Sequence, residues 1–531
     1  MKKLDLLKTI VYFIVPILFF GSLQTKAQFR GPEDLVFRRQ AVKRIVFDNS
    51  QRITLSELNP ANIVGFDVMH PIVDIKKYDA EMTIEEGQLV IKASEASATR
   101  LIGAFNVFAT YDLEISSFSG IGEIGMIFRD SEAENFISAH LICSESKYQS
   151  IRCNIIKEGQ ILETFEFDLP NEINLNAPLT LRAQMVAVGA NIYIEQYGKT
   201  NLMGRFDFVH HFDLRKQELM RQFEFCLNVS TENYARIKIK SASGYVSPGI
   251  GQGDMRIVTY EDGSAYFYNE RLWILITVRG GGLPHPMQGV YSLNPSVFDI
   301  QFEGIILYDR KDGLLRNDLA SNIFYDRNAK EWRGFTTGFS SYGDPEKKEN
   351  KEILAVQSSQ MPLQGSSVME AKSIGLIADF EDPQCIYDKS AGKWRMLLCE
   401  NHKGYKAVLR EADTWDGNYK RIAGPVEVNS TGTQLQKFGE RYYALFGSSA
   451  RTIFVYSYPD LQPVGELNIH RPPWNDTLNT RIWPNVILLP EGYPTPYIAL
   501  MMDRNNFPGM TGNNWTYGAM YLYHGFFKAP Y

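Results

Sequence analysis

The stretch Phe380-Glu381-Asp382-Pro383-Gln384-Cys385-Ile386-Tyr387-Asp388, the turn Lys389-Ser390-Ala391-Gly392 and the run Lys393-Trp394-Arg395-Met396-Leu397-Leu398 read as one β-hairpin. Two adjacent carboxylates and a proline open it, and its arms carry a Tyr and a Trp. A weaker copy stands upstream, where Asp318-Leu319-Ala320-Ser321-Asn322-Ile323-Phe324-Tyr325-Asp326 leads to Glu331-Trp332-Arg333-Gly334-Phe335. The shared unit is carboxylate, strand, Tyr-Asp turn, Trp strand. Repetition of such a unit points to a radial sheet architecture whose acidic openings converge on one axis.

Outward from the hairpin, five units of this kind are expected between residues 250 and 526. The first starts at Asp254 and carries the strands of Ala265 to Val278; the second starts near Asp318 and the third near Asp379. The fourth spans Gln434 to Leu467, with Glu440-Arg441-Tyr442-Tyr443-Ala444-Leu445-Phe446-Gly447 as its clearest strand, and the last spans Thr480 to His524. Five units of about 50 residues fit a five-bladed β-propeller. Upstream, over 60–243, short alternating strands such as Gln88 to Lys92, Gly122 to Arg129, Leu179 to Gln184 and Ala190 to Glu195 predict an antiparallel β-sandwich. Asp213 to Phe223 is a helix-like exception. The glycine-rich run Gly244 to Gly253 is the expected boundary.

At 531 residues the chain is too long for one ordinary core, so two domains are the default. A net charge of −6 leaves no basic excess and argues against nucleic acid as a partner. The aromatic share, 13%, suits both β-structure and sugar-binding clefts. Residues 1–27 read as an export signal: Lys2 and Lys3, an apolar core from Ile10 to Phe20, and Thr25-Lys26-Ala27 before Gln28. The expected location is therefore the periplasm, the cell surface or the medium. No later segment is apolar enough to span a bilayer, so no stable membrane insertion is expected. Of five cysteines, the pairs Cys143/Cys153 and Cys385/Cys399 flank turns and are candidates for cross-strand bridges or for buried free thiols; Cys226 is left over.

The chemistry is expected at the acidic openings: Asp254, Asp318, and Glu381 with Asp382. Three carboxylates on consecutive blades allow one to activate water, one to tune the others and one to protonate a leaving oxygen. Neighbours on a regular strand point to opposite faces, so one at most of Glu381 and Asp382 is expected to face the axis; Glu400, at the end of the same hairpin, is a further candidate acid. Arg256, Arg279, His285, His402, Arg481, Trp483 and Asp503 are candidate substrate-binding residues. Arg481 or Arg504 suits a substrate carboxylate or sulfate, or instead pairs with Asp503, and Trp483 suits stacking on a sugar face. Asp326 and Asp388, inside Tyr-Asp turns, read as turn formers. No metal-ligand spacing, serine-nucleophile elbow, phosphate loop or dinucleotide fingerprint occurs, so neither a metal nor another cofactor is expected.

Residues 250 to 526 resemble the five-bladed propeller glycoside hydrolases, the superfamily that includes families 43, 32, 117 and 130. Phe380-Glu381-Asp382-Pro383 is similar to the Arg-Asp-Pro strand of family 32 and the Glu-Asp-Pro strand of family 130. Asp254 matches the first-blade Asp that serves as base or nucleophile, and Asp318 the second-blade carboxylate. The first unit lacks the Asn-Asp-Pro-Asn-Gly signature of family 32, and Met255 stands where many relatives carry Pro, so the resemblance reaches the superfamily and no single family. The upstream sandwich resembles laminin-G or concanavalin-like jelly rolls through its Gly125 to Arg129 strand, Glu158-Gly159 turn and Leu181-Arg182 strand. Together these imply an exported, all-β glycoside hydrolase that acts on a polysaccharide or oligosaccharide, with inversion favoured by likeness to family 43. The competing expectations are a non-catalytic carbohydrate-binding protein and a phosphate-dependent phosphorylase.

Overall fold

A computed structural model describes residues 31–58, 74–76, 80–130, 132, 134–145, 147–174, 176–339, 350–473, 481–510 and 517–528. The expected export signal lies outside them. The described chain is almost entirely β, with one short α-helix, Gln217–Met220, inside the stretch where a helix was expected. No helix among the described residues is long and apolar enough to cross a membrane.

Two antiparallel sheets make the N-terminal sandwich. The seven-stranded sheet centres on Gly122–Asp130, Phe136–Ser144 and Phe223–Thr231; the other centres on Thr110–Ser119, Leu179–Met185 and Ala235–Val246. Inward-facing residues alternate along these strands, and Phe105, Tyr111, Phe128, Phe223 and Phe225 pack ring against ring between the sheets. All five cysteines are buried free thiols. The cross-strand bridges are ruled out by register: Cys143 sits opposite Tyr148 and Cys153 opposite Ala139, while Cys385 faces Met396 and Cys399 faces Glu381.

From Gly253 onward the chain forms four successive four-stranded antiparallel meanders and a last meander in a sheet of five strands, whose first strands are Gly253–Ile257, Leu319–Asp326, Phe380–Asp388, Thr431–Phe438 and Val486–Leu488. Each first strand lies against the next. The last meander returns to the first, where Gly253, Asp254 and Met255 share a small cavity with Trp483, Met502 and Arg504. The arrangement is propeller-like, with two departures from five separate blades. The outer strands of the first two meanders, Asp299–Asp309 and Gly365–Ile377, pair in parallel and fuse both into one eleven-stranded sheet. Paired glycines permit this contact, because a Cβ on Gly304 would stand 2.1 Å from the Gly365 carbonyl oxygen. The last meander is completed from the other end of the chain: Leu35–Arg44, outside both expected regions, pairs with Ala519–Phe527 and buries Leu35 and Phe37.

A repeated latch fixes the ring. In four of the five first strands one residue adopts left-handed backbone, with φ of 48° at Asp254, 56° at Ala320, 60° at Asp382 and 61° at Gly432. Each coincides with a bulge in the pairing to the second strand. Two residues later an amide side chain reaches the next meander. Asn322 Oδ1 accepts from the Cys385 amide at 2.9 Å, Gln384 Oε1 from that of Leu435, and Gln434 Oε1 from that of Val486 at 2.9 Å. In the first meander the same position is Arg256, which turns inward.

Candidate active site

The bulges set the site, because each inserts a residue at the same end of the ring and breaks the two-residue alternation there. The carboxylates brought together are Asp254 from the first meander and Glu381 and Asp382 from the third. The ionisation of each bears on the others: Asp254 feels Glu381, Asp382 feels Asp254, and Glu381 feels Asp382. One at most of Glu381 and Asp382 was expected to face the axis; at the bulge strand neighbours no longer simply oppose each other, and Glu381 keeps solvent contact while Asp382 is enclosed. Asp318 is placed differently from Asp254 and Asp382 along its strand. It lies two residues before the matching position, which Ala320 occupies, and its fully buried carboxylate is 3.9 Å from the Arg310 guanidinium.

The three carboxyls differ in surroundings. Asp382 is buried and accepts from the Gly432 amide at 2.8 Å and from Thr431 Oγ1 at 3.1 Å. The thiol of Cys399 lies 4.0 Å from it. Position 432 must be glycine, since a Cβ there would be 2.6 Å from the Trp483 ring. Glu381 is 18% exposed and is held by Lys351 and by the Tyr405 hydroxyl, 2.5 Å away. Asp254 keeps part of its surface in solvent. Removal from water raises all three carboxyls, Asp254 to about 6; Arg504 and Arg256 pull Asp254 back, and Lys351 and Tyr405 pull back Glu381.

Arg256 crosses the axis below the carboxylates. It is buried, donates to the carbonyls of Thr433 and Asp382, and lies over the Trp483 ring at 5.3 Å. Burial lowers it to about 10, against the charges of Asp382 and Asp254. Beyond it, at the far end of the ring, is a cavity of about 240 Å³ lined by Gln384, Gln434, Gln436 and Tyr442. The carboxylate bordering that cavity, Asp262, is engaged by Ser264 and Arg327.

Of the other expected binding residues, Arg481 is exposed beside the site with its guanidinium 5.3 Å over the Tyr405 ring, and Trp483 is buried under Arg256. Four are elsewhere. Arg279 is sealed between sandwich and ring, donating to the carbonyls of Phe108, Met185 and Ser247. His285 is held there by Asp207 at 2.8 Å and Arg205 at 3.0 Å. His402 is exposed and pairs with Glu400, which Arg410 also holds. Asp503 is buried and 3.4 Å from Arg44, closing the last meander onto the N-terminal strand.

Sequence reading missed Lys351, Tyr405 and Asp379 as a group. Lys351 Nζ donates to Asp379 at 2.6 Å and to the Tyr405 hydroxyl at 2.9 Å, as well as to Glu381. Asp379, two residues before Glu381 and followed by the hairpin, was the one member with a sequence signal. Lys351, just before the strand Glu352–Ser358, and Tyr405, at the start of Tyr405–Ala412, carry none. Among the described residues no group of three or more His, Cys, Asp or Glu is placed to hold a metal ion.

No family model matches this chain, and no curated protein does. Solved structures with partial likeness include a thermostable family-43 glycoside hydrolase, 13% identical, covering 51% of this chain and 89% of its own, with a TM-score of 0.34. An endo-1,4-β-xylanase from Bacteroides thetaiotaomicron VPI-5482 is 12% identical over 48% of this chain and 84% of its own, TM-score 0.32. The catalytic domain of an endo-1,3-β-glucanase (laminarinase) from Thermotoga petrophila RKU-1 is 12% identical over 40% of this chain and 98% of its own, TM-score 0.26. At these scores they are distant likenesses and assign no activity to this chain.

Proposed function

We propose that this chain is an exported glycoside hydrolase that cleaves a polysaccharide or oligosaccharide at the acidic end of a five-bladed propeller. The supporting observation is the division of the three coupled carboxyls: two keep solvent contact and the third is enclosed. Asp254 is the base that takes a proton from water as the water oxygen attacks the anomeric carbon. Glu381 is the acid that protonates the departing oxygen as the glycosidic bond breaks. Asp382, enclosed by donors between them, tunes both in the place first expected of Asp318. Groups of one kind held in unlike environments are how acid and base are separated at one pH. Export through residues 1–27 belongs to the same reading, and sequencing the mature N-terminus tests it.

The test is hydrolysis of graded leaving groups. Glu381→Gln should lose about 10²–10⁴ in rate on unactivated glycosides and far less on 2,4-dinitrophenyl glycosides, which leave without a proton. Asp254→Asn should lose both while glycan binding persists. A wild-type chain that binds glycans and cuts none across a broad panel would establish the carbohydrate-binding alternative. Phosphorolysis is the second reading, favoured by Arg256 and Arg504 both bearing on Asp254; turnover would then require inorganic phosphate.

A further inference from the structure

Tyr405 stands between two carboxyls. Its oxygen is 2.6 Å from Asp379 Oδ1 and 2.5 Å from Glu381 Oε1, and it accepts from Lys351 Nζ at 2.9 Å. A phenol has one proton and donates to one carboxyl only. The second oxygen–oxygen contact is as short as a charge-assisted hydrogen bond and needs a proton of its own; with both carboxyls ionised, lone pairs would face each other. Asp379 and Glu381 therefore share one proton beyond that of Tyr405.

The surroundings decide which carboxyl carries it. Asp379 is 44% exposed and accepts from Asn401 Nδ2 at 2.6 Å in addition to Lys351, so it holds the charge. Glu381 is 18% exposed. The groups facing it are Lys351 and Tyr405, Asp379 and Asp382 of its own segment, Asp254 of the first meander, and the Cys399 thiol opposite. With Glu381 protonated, the set Asp379, Lys351, Tyr405 and Glu381 is electrically neutral, which suits a Lys351 only 6% exposed.

We propose that Asp379 and Tyr405 form a proton relay that reloads Glu381 from solvent after each turnover. This rests on the reading of Glu381 as the acid. Once Glu381 has given its proton to the leaving oxygen, Asp379 takes one from a solvent hydronium ion or a buffer acid, leaving water or the buffer base behind. Asp379 then passes it to the Tyr405 oxygen as the Tyr405 hydroxyl proton moves to Glu381 Oε1. The net change is one proton from solvent to Glu381, with Asp379 and Tyr405 restored. Burial and the neighbouring anions raise the Tyr405 phenol far above its ordinary value, so the two transfers are concerted and no phenolate forms.

Tyr405→Phe in the full chain tests the relay, assayed on 4-nitrophenyl glycosides and unsubstituted disaccharides. Reloading follows bond cleavage, so kcat should fall about tenfold or more with kcat/KM little changed, and imidazolium buffer should restore kcat in the variant without affecting wild type. Parallel loss of kcat and kcat/KM without buffer rescue, or an unchanged variant, overturns the relay. A readout independent of activity is the infrared difference between wild type and Glu381→Gln near neutral pH, which should contain the band of a protonated carboxylic acid. If glycosides are cut and the band is absent, the relay is wrong and the hydrolase reading stands. If the band is present and no glycoside is cut, the hydrolase reading and reloading fall together while the proton placement holds.

Discussion

Asp254→Asn separates chemistry from stability in one substitution. The Asp254 carboxyl is raised from 3.8 to about 6, first by removal from water and then by Glu381, against Arg504 and Arg256. The folded chain thus binds this proton more tightly than the unfolded chain does. Stability credited to the site is complete below about pH 4 and is lost as pH rises through about 6. At about 1.4 kcal/mol per tenfold change in proton affinity, the rise from 3.8 to about 6 is worth about 3 kcal/mol, an upper bound because Asp254 is not fully enclosed. Asparagine does not titrate, so the variant should gain on wild type as pH rises from 4 to 8, by up to that amount. Denaturant unfolding of both proteins at pH 4.5, 6 and 8 measures the difference, and hydrolysis assays on the same samples should show activity gone with the fold intact. A stability difference that does not change with pH would refute the desolvated-carboxyl argument. Full activity in the variant would refute Asp254 as the base.

Three further outcomes follow from other parts of the molecule. Arg279→Met should leave the Phe108, Met185 and Ser247 carbonyls without their donor, at about 1–3 kcal/mol for each buried acceptor; faster proteolysis between sandwich and ring, with a lower denaturant midpoint, checks it. Phe37→Ala should cost about 3–5 kcal/mol, because this fully buried ring lies on the strand that completes the last meander; thermal unfolding measures the loss. No thiol should react with Ellman's reagent in the native protein and five should react in denaturant, with unfolding indifferent to added reductant.

The hairpin at Phe380 to Leu398 was readable as a hairpin because its turn and strand chemistry are local. Its register confirms Tyr387 opposite Trp394, the two arms paired as the pattern implied. Asp254 and Glu381 were also legible as acidic strand openings. What misled was treating those openings as equivalent by sequence spacing. Asp318 opens its unit as visibly as Asp254 does, yet the bulge falls two residues later, on Ala320. Arg279 and His285 read as candidate substrate-binding residues, and only the packing of the sandwich against their segment shows them sealed.

Alternation, turn residues and repeated strand units are properties of neighbours in the chain, so the sequence by itself determined the all-β character, the sandwich strands and the acidic ends of the repeated units. The closing of the last sheet by Leu35–Arg44, the fusion of the first two meanders and the meeting of Lys351, Asp379, Glu381 and Tyr405 join segments far apart in sequence. Tertiary structure alone decided these, because they depend on where backbone bulges and close glycine contacts let distant strands meet.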